Sequence, residues 1–117
     1  MISTLLSWFR PSKQQTNFDH KINADISIIP LGTPEGASTS RYVKEAGRIL
    51  AQSGFREVHP HAFGTNISGN WSNLKTAIEE IAKHQLDELG IPRLAIDLKL
   101  SFRRDKDESI GARLAKA

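Results

Sequence analysis

The stretch Arg93–Phe102 constrains this chain more than any other. Leu94, Ile96, Leu98 and Leu100 alternate with Ala95, Asp97, Lys99 and Ser101. A period of two over this length marks a half-buried strand, with one face on a core and the other on water. Such a strand needs partner strands and a second layer to cover its apolar side.

The rest of the chain supplies both. Ala24–Leu31 is a strand in which Ile26 and Ile28 alternate with Asp25 and Ser27, and Pro30 and the run Gly32-Thr33-Pro34-Glu35-Gly36 end it. Ser38 or Ser40 is placed to cap a helix over Thr39–Ser53, whose stripe is Val43, Ala46, Ile49 and Leu50. Gly54 stops that helix. Glu57–Phe63 is a second strand, with Val58, Pro60 and Ala62 on one face and His59 and His61 on the other. Pro60 has no N–H to give a ladder, which puts this strand at an edge. After Gly64 comes a short third strand, Thr65–Ser68. Asn70 or Ser72 then caps a helix over Trp71–Leu89 with the stripe Leu74, Ala77, Ile78, Ile81 and Leu89, ended by Gly90 and Pro92. Ser109–Lys116 forms a last short helix.

The order is therefore β-α-β-β-α-β plus a tail, and the expected fold is α+β: a ferredoxin-like sandwich with two helices on one face of a four-stranded antiparallel sheet. The other face carries the polar phase of the strands, namely Asp25, Ser27, His59, His61, Asp97 and Lys99. It must meet water, a ligand or another subunit. An uncovered face beside an edge strand is a natural pairing surface, so a homodimer or homotetramer built through the sheet is expected.

Composition narrows the function classes. The 117 residues amount to one domain, with 16 Lys and Arg against 13 Asp and Glu for a net charge of +3. Charges of both signs are interspersed, unlike the one-sided basic face of a nucleic-acid binder. The strand Ala24–Leu31 also lacks the exposed aromatics on which a ferredoxin-like sheet stacks RNA bases. There is no cysteine, which removes disulfides, thiolate catalysis and zinc–thiolate sites and fits a reducing, cytoplasmic location. No apolar run reaches the ~18 residues of a membrane span. Residues 1–22 are compositionally distinct and read as a frayed N-terminal extension, with the domain over 23–117. The apolar Met1–Phe9 lacks the positive flank of a signal peptide and is short for one.

Three features carry chemistry in principle. His59 and His61 leave one strand face together, but no third ligand accompanies them, so no metal is expected and the pair reads as polar residues on an open face. Leu31–Ser40, with two Gly, two Ser and two Thr before a helix, either presents N–H groups to a ligand or is a plain connection; it is not a phosphate-binding Walker loop. Asp97 points from mid-strand onto the uncovered face, with Asp25 as an equivalent. No nucleophile has an activating neighbour in the sequence, so neither catalysis nor a cofactor is expected; an enzyme using His59 or His61 as acid–base is the alternative, and a purely structural or regulatory oligomer a second one.

Four segments resemble a family of small thiamine-binding proteins of ferredoxin-like fold: Ala24-Asp25-Ile26-Ser27-Ile28-Ile29-Pro30-Leu31-Gly32-Thr33; Ser38-x-Ser40-x-Tyr42-Val43; His61-x-x-Gly64-Thr65-x-Ile67-x-Gly69-x-Trp71; and Asp97-x-Lys99 followed by Arg104-Asp105-Lys106. Ser68 stands where the family pattern has Glu. The resemblance implies an oligomer that binds thiamine or hydroxymethylpyrimidine without turnover. On that basis Ser27 and Asp97 are expected to hydrogen-bond the aminopyrimidine, backbone at Gly32, Thr33, Gly64 and Thr65 to shape the pocket, Ser38 to contribute from the helix start, and Tyr42 or Trp71 to stack on a ring.

Overall fold

The computed structural model describes residues 18–116. Four strands form one antiparallel sheet: β1 (Lys21–Leu31), β2 (Glu57–His61), β3 (Gly64–Asn70) and β4 (Arg93–Arg103). Their order across the sheet is β2-β3-β1-β4, so β1 is central and Pro60 lies on an edge strand as its missing N–H requires. β1 pairs with β4 along its whole length, from Lys21 opposite Arg103 to Leu31 opposite Arg93. Against β3 it pairs only from Lys21 to Ile26, so the β1–β4 ribbon runs on past the β2–β3 hairpin. Lys21 and Ile22, expected in the extension, open β1; residues 1–17 of that extension lie outside the described residues.

Two helices cover one face: α1 (Ser40–Ala51) and α2 (Trp71–Lys83), the latter continued by a π-helical turn over His84–Glu88. The ferredoxin-like arrangement is therefore the one observed. Between the layers lie Ile26, Ile67, Leu74 and Ile81, each essentially unexposed and each worth about 1.5–3 kcal/mol of burial. Ile22, Ala24, Ala46, Ile49, Leu50 and Ala77 are buried with them, as are Tyr42 and Ile91.

Three local expectations are corrected. The buried stripe of α1 begins at Tyr42, 0 % exposed, and not at Val43, 46 % exposed. Both positions sit at the edge of a stripe through Ala46, Ile49 and Leu50; the tyrosine has the larger apolar area and its hydroxyl can leave the core to donate to Glu35. The α1 cap position is Thr39, and neither Ser38 nor Ser40 caps it. The start of α2 takes its side-chain acceptor from outside the helix: Asp19 Oδ1 accepts the Ser72 N–H at 2.8 Å. A carboxylate there also meets the positive end of the helix dipole, and that hydrogen bond holds the Asp19 carboxyl below its usual range.

The chain after β4 turns back across the open face. Asn23 Nδ2 donates to the Glu108 carbonyl at 2.6 Å, Ser68 Oγ donates to Asn23 Oδ1 at 2.7 Å, and the Ile110 N–H donates to Ser68 Oγ at 2.9 Å. The Gly111 N–H reaches Glu57 Oε1 at 3.1 Å. This strap leads into α3 (Ile110–Lys116) and covers the end of the face formed by Asn23, Glu57 and Ser68. The end of the face that carries Asn23, Glu57 and Ser68, expected to be bare, is thus closed by the chain itself.

Candidate functional site

The tip of the β2–β3 hairpin lies against β1. Ser27 Oγ donates to the Phe63 carbonyl at 2.6 Å, and His61 Nε2 meets Asp25 Oδ1 at 2.7 Å. The Phe63 N–H reaches His61 Nδ1 at 3.2 Å, so His61 Nε2 carries its proton toward Asp25. Both ring nitrogens are thereby engaged. His59 Nε2 meets Glu57 Oε1 at 2.8 Å. The Glu57 carboxyl is held below its usual range, first by the Ser109 hydroxyl and then by His59. Ser27 donates to a carbonyl and not to a histidine, so the hairpin tip contains no Ser–His pair. Among the described residues no group of three or more His, Asp or Glu is placed to hold a metal ion.

On the helix side of this tip the two layers do not close. Gly47 and Ala51 of α1 face Val58, Pro60 and Ala62 of the hairpin, and Ile26, Ile28 and Thr65 form the floor. The result is a mainly apolar groove of about 500 Å³, within the range of small-molecule sites. Val43 and Phe63, the latter 87 % exposed, stand at its mouth, with Lys44 and His61 as polar groups on the lining. Small side chains make the space: a Cβ added at Gly47 would meet nothing within 4 Å.

The expected site residues fall in three places. Ser27, Gly64 and Asp97 come together on the open face, Ser27 directly opposite Asp97. Asp97 is exposed. Thr65 turns the other way, pairs with Ile26 and lines the groove. Gly32, Thr33 and Ser38 lie in the loop beyond the far end of β1, where Thr33 Oγ1 donates to the Gly36 carbonyl at 2.8 Å and closes the loop on itself. Gly32, at φ +70, packs against Pro92. Tyr42 has no exposed ring to offer, because it fills the core; Trp71 packs edge-on against Phe102, at the opposite end of the sheet from the groove. Sequence reasoning missed Gly47, Ala51, Pro60 and Ala62 as pocket residues. The signal available for them was the run of small residues on one helix facing small and proline residues on an edge strand.

Comparison with known proteins decides the family. The thiamine-binding protein family matches residues 24–117. This chain belongs to that family. Among relatives, the UPF0045 protein MJ1052 of Methanocaldococcus jannaschii is 34 % identical over 97 residues, covering 83 % of this chain and 92 % of that one. The UPF0045 protein sll0230 of Synechocystis is 32 % identical over 87 residues, covering 74 % and 68 %. The crystal structure of MJ1052 superposes with a TM-score of 0.72 over 83 % of this chain and 95 % of that one. A domain of unknown function (DUF77) from Bacillus cereus, 18 % identical, superposes at 0.71 over 86 % and 94 % and shares the fold. For this member of the thiamine-binding protein family, no helix among the described residues is long and apolar enough to cross a membrane.

Proposed function

We propose that this chain binds thiamine or its hydroxymethylpyrimidine half in the groove between α1 and the β2–β3 hairpin and releases it unchanged. One observation carries the reading: three of the four segments that resemble the family meet in that groove. Ile26 and Ile28 come from the first, Val43 from the second, and His61, Gly64 and Thr65 from the third. A flat, mostly apolar ring suits walls of Gly47, Ala51, Pro60 and Ala62, and Thr65 and Lys44 offer polar atoms to fix its orientation. The engagement of both His61 nitrogens and the absence of a Ser–His pair at the tip support binding over turnover. The protein works on this reading as a cytoplasmic dimer or tetramer, the uncovered part of the sheet facing a second copy.

A second reading rests on Asp97. It is exposed opposite Ser27 on the open face, where a carboxylate could accept the donors of an aminopyrimidine.

Isothermal titration with thiamine, then with hydroxymethylpyrimidine, tests both. Saturable heat that disappears in Gly47→Leu and persists in Asp97→Ala assigns the groove. The reverse pattern assigns the open face. No heat with either compound from folded protein rejects both, and product formed from thiamine during the titration rejects binding without turnover.

A further inference from the structure

We infer that the hollow where the start of β1, the end of β4 and the strap meet is a second binding site, for a phosphate-type oxyanion. Four cations line it from separate segments: Lys21 on β1, Arg56 just before β2, Arg103 at the end of β4, and Lys106 in the strap. Among the described residues Asp107 and Glu108 are its only acidic lining residues, so positive charge is in excess. A shallower cleft continues from it and adds Arg104, with Asp19 as a further carboxylate.

Size selects the ligand. The hollow holds about 50 Å³, several times the ~10–15 Å³ that one water needs and too little for a ring system. A single tetrahedral anion fits those dimensions. Its wall also carries the uncharged polar residues Asn23, Ser68, Asn70 and Ser101 beside Ile22 and Gly69.

A carboxylate already sits in the position an anion would take. Asp107 Oδ2 accepts from Arg56 Nη1 at 2.8 Å, and Lys21 Nζ stands 3.8 Å from the same oxygen. The lysine is thus attracted but beyond hydrogen-bond reach, and one guanidinium nitrogen of Arg56 accounts for its whole contact with Asp107. Donors remain for an incoming oxyanion. Arg103, by contrast, is committed through Nε and Nη2 to Asp105, and it shapes the wall more than it binds.

The site is independent of the groove. Lys21 and Ile26 are five residues apart on β1, about 16 Å at ~3.3 Å per residue, and the groove opens on the other face of the sheet.

The test is thermal unfolding of the full chain in millimolar inorganic phosphate, with ionic strength held constant by chloride, and in parallel with glycerol phosphate as a monoester. A Tm that rises and saturates with phosphate but not with chloride is expected, because a ligand binding only the folded state stabilises it by mass action. Lys21→Gln and Arg56→Gln should each weaken the apparent Kd by about tenfold, the loss of a hydrogen bond to a charged group. Asp107→Asn should tighten it by removing the resident competitor. A response to phosphate alone assigns the free ion, and a response to both compounds assigns a terminal phosphate. A Tm indifferent to both anions, or equal shifts in wild type and all three variants, overturns the inference whatever the thiamine titration shows.

Discussion

A Cβ on Gly64 would lie 2.7 Å from Ser27 Oγ, and equally close to the Ile26 carbonyl oxygen. The hairpin tip can rest on β1 only because residue 64 has no side chain. Gly64→Ala forces the tip away from β1 or breaks the Ser27–Phe63 hydrogen bond. Denaturant unfolding should show a loss of about 1–3 kcal/mol, the usual cost of overpacking. Unchanged stability would mean that the tip yields freely.

Gly47 presents the opposite case. Gly47 lies in the interior of α1, where glycine costs up to about 1 kcal/mol against a good helix former, and its missing Cβ would meet nothing within 4 Å among the described residues. Gly47→Leu should therefore raise the unfolding midpoint while filling the groove. A variant more stable than wild type that no longer binds ligand would separate occupancy of the groove from damage to the fold. A less stable variant would show that the groove wall is tighter than described.

Ser68 is 2 % exposed, donates to Asn23 and accepts from the Ile110 N–H. Ser68→Ala leaves both partners short of a bond in a buried setting, at about 1–3 kcal/mol. Hydrogen exchange should show the loss locally, as faster exchange at Ile110 and Gly111. Exchange confined to β3 would refute the role of Ser68 in fastening the strap.

The Glu35–Tyr42 pair predicts a stability profile with two flanks. The Tyr42 hydroxyl, and next the Arg41 guanidinium, hold the Glu35 carboxyl below its ordinary 4.5. The same carboxylate raises the Tyr42 phenol above 10.0, with burial acting in the same direction. The lowered carboxyl contributes stability that is complete above pH 4.5 and fades as pH falls through its folded value. The raised phenol contributes fully below pH 10.0 and fades as pH climbs through its own folded value. Glu35→Gln should flatten the curve on both sides relative to wild type, measured by urea midpoints across pH. Parallel curves would remove the pair as the cause.

Much of the fold was legible because its signals are apolar and periodic. β4 was placed to within one residue at its end, since four aliphatic residues alternate without interruption. Leu74, Ala77, Ile78 and Ile81 marked the covered side of α2 for the same reason. Tyr42 and Val43 were not separable, because both border one helical stripe and only the Glu35 acceptor, seven residues upstream, settles which turns inward. The strap left no apolar trace: it is fastened by Asn23, Ser68 and Glu57 to backbone groups of residues 108, 110 and 111. The π-helical turn brings Gln85 into the core, its Nε2 on the Tyr42 carbonyl at 3.0 Å and its Oε1 without a partner among the described residues, which no hydrophobic pattern announces. The candidate site was legible as segments and not as a site. Adjacent residues such as Gly64 and Thr65 sit on opposite sides of a strand, so one motif serves two faces.

The pairing of β1 with β4 also has a bearing on how the molecule is made. The central strand receives its second neighbour from residues 93–103, after every other strand and both large helices have been synthesised. Until then one flank of β1 is open, and Ile26 and Ile28 lack Leu98 and Ile96 opposite them. Loops this long are closed late, because their entropy is spent before any contact returns it. Completion of the sheet on the ribosome therefore waits for residues 93–103 to emerge, and a nascent chain halted before Arg93 would present an unpaired strand edge to its surroundings.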